Sequence, residues 1–261
     1  MCYTGVNFSA SRFLALIQKV CSMPTLTIAS LGDFQVWREL TPLPSDAWPT
    51  QKSKALFKIL LSARGQRVTA DQLMEWLWPD VSPSKARNNL WVTVSQARRV
   101  LEPELPARGN SAFLLSDEAG YRLALGETIQ WDVAHFLATC GRLQGKHTLE
   151  ARTRLLEEAR ACYNGDYLAD DPHEEWALAL REELQRRYLQ VLMDLGECYA
   201  EAGRYAEAIE QARAVIAREA AAEPAYQALM RYAYYMGDQR TARQSYDACV
   251  RALRDDLGAA P

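Results

Sequence analysis

The sequence has little that chemistry of bond-making could use. Its three histidines, His135, His147 and His173, lie far apart, and its six cysteines form no C-x-x-C pair. Neither zinc-ligand spacing nor a disulfide framework follows, and scattered thiols fit a reducing cytoplasm. His173-Glu174-Glu175 lacks the second histidine that a zinc-binding helix needs. There is no G-x-S-x-G elbow, no cysteine-nucleophile signature and no G-x-x-x-x-G-K-[ST] phosphate loop. The acidic cluster Asp166, Asp170, Asp171, Glu174 and Glu175 reads as a loop feeding carboxylates into the first turn of a helix, where the dipole favours them. No catalytic residue, cofactor or metal is expected, and the chain reads as a non-enzyme. No apolar run approaches the roughly 20 residues of a membrane span. Phe13–Ile17 is short, and no small-residue cleavage pattern follows it, so it does not read as a signal peptide. Residues 1–23 are expected to be a poorly ordered tail.

A strong basic excess is also missing. The net charge of −3 divides unevenly: residues 24–127 carry 12 Lys+Arg against 11 Asp+Glu, and residues 128–261 carry 16 against 22. A nucleic-acid-binding domain is usually more basic. The basic excess is local, and it sits on one stretch.

That stretch is Ser82–Leu101, SPSKARNNLWVTVSQARRVL. Ser82 is expected to cap a helix through its hydroxyl, and Pro83 suits the first helical position. At 100° per residue, Ala86, Leu90, Val94, Ala97 and Leu101 fall on one stripe, the expected buried side. Asn88, Val92, Ser95 and Arg99 fall opposite. Lys85 and Gln96 flank that face on one edge, Trp91 and Arg98 on the other. It carries no carboxylate. A helix fits the DNA major groove, and such a face can supply phosphate and base-edge contacts.

The neighbouring segments extend this reading. Leu26–Trp37 reads as strand around a Gly32-Asp33 turn, and prolines break the chain up to about Thr50. Ser53–Ala63 is expected to be a helix burying Ala55, Leu56, Ile59 and Leu60, and Thr69 to cap a second over Ala70–Trp78. Two strands, 113–115 and 121–125, follow the third helix. Three helices and then a hairpin is the order of a winged helix. From Trp131 the strand signal disappears, and helix patterns run over about 132–144, 149–163, 172–202, 205–219, 224–236 and 240–257. Leu195, Gly203 and Ala208 recur 34 residues later as Leu229, Gly237 and Ala242, the tetratricopeptide period. The predicted fold is mainly α: a winged helix-turn-helix domain (α/β) over 24–127, then an all-α tetratricopeptide-like domain over 128–261.

These segments together resemble the SARP-type bacterial activators, which join an OmpR-type winged helix to a bacterial transcriptional activator domain. The resemblance rests on LTIASLGDF, KALFKILLSARGQRVTADQLMEWLWPD, KARNNLWVTVSQARRVL, GYRLAL, WDVAHF and the C-terminal RALRDDLGAAP. It implies promoter binding to double-stranded DNA through Ser84–Leu101, recruitment of RNA polymerase, and often a dimer. Gln96 and Trp91 stand where family members often carry Arg. The candidate DNA-binding residues are Lys85, Arg87, Asn88, Trp91, Val92, Ser95, Gln96, Arg98, Arg99 and, in the wing strand, Arg122. Trp91 has two readings, stacking on a sugar or covering the wing, and Tyr121 reads as wing core. Lys52 and Lys54 read equally as phosphate contacts or as a solvated pair. An adaptor whose winged helix no longer binds DNA is the alternative, and the near-neutral charge of 24–127 is its best argument.

Overall fold

The end of the first strand is held from two directions, and both holds come from distant parts of the chain. In the computed structural model, which describes residues 26–106 and 109–257, β1 (Leu26–Ala29) pairs antiparallel with β2 (Gln35–Arg38) around Gly32 at φ 104°. The expected tail 1–23 lies outside the described residues. β2 continues to the two-residue β3 (Thr41–Pro42). After a winged-helix hairpin, β4 (Leu114–Asp117) and β5 (Gly120–Leu123), a short β6 (Ile129–Trp131) returns and pairs parallel with β1. The sheet order is β3-β2-β1-β6, with β1 buried along its whole length. β6 was not expected from the sequence: three residues are too few to show a strand period.

The chain divides into two compact units. The first comprises residues up to Asp132 together with Gly165–Glu182, and the second comprises Val133–Asn164 and the chain from Glu183 onward. In the first, Asp132 follows β6 directly. Its buried carboxylate accepts the backbone N–H of Ser30 (2.7 Å) and of Leu31 (2.8 Å), and the Ser30 hydroxyl (2.9 Å). Trp131 Nε1 donates to that same hydroxyl at 2.7 Å. The returning segment supplies the second hold. Tyr167 bridges to Leu31, and Leu168 N–H donates to the Ser30 carbonyl at 2.8 Å. A Cβ on Gly165 would stand 3.0 Å from Gly32 Cα, so glycine permits the two backbones to approach. The acidic cluster is divided here: Asp171 pairs with the buried Lys58, and Asp170 accepts the Phe34 N–H at 3.4 Å.

Three helices lie between this sheet's β3 and the wing in sequence and pack on one another: α1 (Gln51–Ser62), α2 (Ala70–Leu77) and α3 (Pro83–Leu101). Thr50 and Thr69 each form a capping box, with Ser53 and Gln72. Ser82 does not cap as expected: its side chain accepts no first-turn amide. Ser82 and the residues after it are exposed, so water can serve those donors, and Pro83 removes one of them. The stripe Ala86, Leu90, Val94, Ala97 and Leu101 is buried as read, against α1 and α2. On α1 the reading needs correction. Ala55 is only half-buried, whereas Phe57, Lys58 and Leu61 are buried, because α3, α2 and β5 enclose this helix on several sides.

In the second unit, α5 (Leu149–Cys162), α7 (Tyr205–Ile216), α8 (Glu223–Tyr235) and α9 (Gln239–Leu257) join parts of α4 (Asp132–Arg142) and α6 (Glu175–Glu201). Gly203 (φ 74°) and Gly237 (φ 77°) make the same left-handed turn 34 residues apart. In each, the next residue closes the helix end: Arg204 N–H donates to Tyr199 O at 2.8 Å, and Asp238 N–H to Ala233 O at 2.9 Å. Leu195 and Leu229 are both buried at the matching position.

Removing the Asp132 carboxylate leaves two buried N–H donors and a hydroxyl without an acceptor. Each stranded buried donor costs about 1–3 kcal/mol. Asp132→Ala should therefore lower the unfolding free energy by at least about 3 kcal/mol. Denaturant melts of the full chain read this directly.

Candidate nucleic-acid interface

Because the apolar stripe of α3 is turned inward, the opposite side is turned to solvent. Lys85, Arg87, Asn88, Trp91, Val92 and Arg99 are exposed, and Ser95, Gln96 and Arg98 are half-buried. Trp91 is 72% exposed and Val92 47%, so the solvent-facing side of the helix presents apolar as well as polar groups. No carboxylate stands on this helix, and its last turn carries Arg98 and Arg99, which suit the negative end of the helix dipole.

Neighbouring residues on the helix are engaged differently. Arg98 Nε donates to the Leu114 carbonyl at 3.1 Å, and its Nη2 donates to Ser116 Oγ at 2.8 Å, so this guanidinium ties α3 to β4 of the wing. Gln96 accepts from the Thr50 hydroxyl at 3.2 Å, at the start of α1. Arg38, not anticipated from the sequence, donates to the Val100 carbonyl at 3.1 Å and holds the C-terminal end of α3. An isolated cation in a strand gives no pattern that would reveal this contact. Lys54 leans over the Phe34 ring, 5.5 Å from its centroid, and Lys52 is exposed.

The wing is fixed at its base. Val68 and Tyr121 exchange both backbone hydrogen bonds at 2.9 Å, so β5 has a partner on each side. Gly120 sits at φ 142°, where a Cβ would lie 2.3 Å from the Val68 carbonyl oxygen, so only glycine fits. Tyr121 is half-buried rather than core, and Arg122 is half-buried opposite Leu115. Arg67 and Asp117 pair at 2.6 Å near the hairpin tip. Between α3 and the wing runs a groove of about 290 Å³, lined by Trp91, Ser95, Arg98, Arg99, Ser116 and Tyr121 among others. Among the described residues there is no cluster of three or more metal-ligating side chains, and no helix long and apolar enough to cross a membrane.

Residues 46–123 match the family described as "Transcriptional regulatory protein, C terminal", and residues 131–261 match the "Bacterial transcriptional activator domain". The chain belongs to the SARP-type bacterial transcriptional activators. These are DNA-binding transcription regulators, and the matches are to regulators rather than to enzymes. The chain is 27% identical to the transcriptional regulatory protein MoaR1 of Mycobacterium tuberculosis, over 88% of this chain and 74% of that one. It is 28% identical to the regulatory protein AfsR of Streptomyces coelicolor, covering 90% of this chain but only 23% of AfsR. A solved structure of Mycobacterium tuberculosis EmbR, in complex with a low-affinity phosphopeptide, superposes with a TM-score of 0.75 at 24% identity. That superposition covers 92% of this chain and 62% of that one, and it shows the shared SARP-type fold. The winged helix-turn-helix followed by all-α repeats, as read from the sequence, is therefore the fold of the chain.

The adjacent arginines should separate cleanly in stability. Arg98→Ala loses two hydrogen bonds to the wing and should lower stability by about 1–2 kcal/mol. Arg99→Ala, on the exposed face, should stay within about 0.5 kcal/mol of wild type. Thermal melts of the two variants side by side test the assignment.

Proposed function

We propose that this chain activates transcription in the cytoplasm by laying α3 in the major groove of promoter DNA. The observation that carries this reading is the exposed, carboxylate-free face of α3, which sets amides, a hydroxyl, cations and an apolar group where base edges and phosphates would meet them. Residues 24–127 do the binding. Residues 128–261 contact RNA polymerase or a second copy of the chain, a role that suits stacked helical repeats. The modest charge of 24–127 means modest affinity for one subunit, which favours pairing on DNA. The same near-neutral charge supports a second reading, an adaptor that does not touch DNA.

Within this reading the residues of α3 have different tasks. Asn88 lies in the N-terminal half, which enters the groove in helix-turn-helix proteins, and its amide can pair with adenine N6 and N7. Arg99 lies three turns later, where the helix climbs towards the backbone, and it meets phosphate. Lys85 and Arg87 flank the entry, and Arg122 reaches the duplex from the wing. Trp91 stacks against the sugar–phosphate edge.

Two alanine variants test the division. Asn88→Ala should relax base preference at one position at a loss of roughly 1–3 kcal/mol. Arg99→Ala should weaken binding to all sequences alike and reduce the salt slope by about one. Wild-type operator affinity in both variants at several salt concentrations would remove this face from the interface and put the adaptor reading first.

A further inference from the structure

Val92 has no structural task that explains its position. It is 47% exposed at the centre of an otherwise polar face, and a β-branched residue there lowers helix propensity slightly without adding to the core. Single exposed apolar residues are ordinary on protein surfaces. Here, however, the residue one turn earlier on the same face is Asn88, also exposed, and Ser95 stands one turn later. Four helical residues rise about 6 Å. Successive base pairs rise about 3.4 Å. Asn88 and Val92 therefore reach base pairs one or two steps apart.

We propose that Val92 reads the 5-methyl group of a thymine one or two base pairs from an adenine held by Asn88, so that the half-site is A·T-containing under the middle of α3. This rests on the DNA-binding reading above. In the major groove the thymine methyl is the apolar feature that base edges present, and an apolar side chain is its natural partner. The stiff χ1 of valine means that little rotamer freedom is lost on contact. Cytosine at the same place carries no 5-methyl group and so offers Val92 no apolar partner. The neighbouring Trp91 does not compete for this role, because it lies on the edge of the face that lines the groove beside the wing.

The test uses the full chain and duplexes that it selects from a randomised library. In the selected duplex each thymine is replaced in turn by deoxyuridine, which pairs identically and lacks the methyl. The wild-type chain should lose about fourfold in affinity at one thymine per half-site, the loss expected for one buried methyl-sized group. Val92→Ala, at an exposed position that leaves the fold intact, should bind the thymine and uracil duplexes equally at that site. Val92→Thr keeps one of the two methyls and should retain the discrimination. If the wild type binds a selected duplex specifically yet tolerates uracil at every position, the methyl-reading role is overturned while DNA binding stands. Discrimination that persists undiminished in Val92→Ala overturns it equally. If no duplex is enriched at all, the DNA-binding reading falls, and this inference with it.

Discussion

The rotation of α3 about its own axis decides what the first unit can present to a partner. Leu90, Val94, Ala97 and Leu101 are almost completely buried, and burying a side chain such as Leu or Val stabilises by about 1.5–3 kcal/mol. Turning the helix by one residue would expose part of this stripe and bury amide or guanidinium groups without partners. The polar face is thus the consequence of where the apolar residues go. Around that fixed helix the remaining contacts adjust position: Arg38 at its C-terminal end, Thr50 on Gln96 one turn before that end, and Arg98 holding the wing beside it.

The end of β1 and the segments around it depend on buried polar groups that have partners. A lone buried carboxylate would be strongly unfavourable, yet Asp132 is matched by two backbone amides and a hydroxyl. Lys58 is a comparable case on α1. Burial pushes its ammonium below the usual lysine range, and the hydrogen bond and charge of Asp171 oppose that shift. The ammonium also lies 4.5 Å from the centroid of the Phe34 ring, a favourable place for a cation. Tyr167 completes the set: its hydroxyl shares a 2.8 Å hydrogen bond with Ser62 while its backbone bridges to Leu31. Arg181 closes the segment by donating to the carbonyls of Tyr167, Asp171 and Pro172.

Helices were legible because each has a period and an ending. The 34-residue recurrence of Leu195, Gly203 and Ala208 foretold two equivalent turns, and Gly203 and Gly237 make them with nearly the same φ. The buried stripe of α3 was readable for the same reason. What escaped the pattern is held by single polar contacts rather than by a repeat. Nothing in the spacing of Gly165–Glu182 indicates that it pairs with the chain just after β1, and three residues of β6 are too few to establish an alternation. Lys58 reads as a surface residue until its partner, more than a hundred positions away, is brought beside it. Arg98 and Arg99 are adjacent and chemically identical, and only the place of the wing separates a tie from an exposed cation.

Whether the exposed face of α3 meets DNA is measured most directly by the affinity of the full chain for its own upstream DNA as salt is raised. Phosphate contacts release condensed counterions, so the logarithm of the binding constant should fall linearly with the logarithm of salt, at about −0.9 for each phosphate engaged. A slope corresponding to several phosphates per subunit, with tighter binding to the upstream fragment than to unrelated duplex, is the expected result. No binding at low salt, or an affinity that salt leaves unchanged, would contradict a DNA-binding role for this helix.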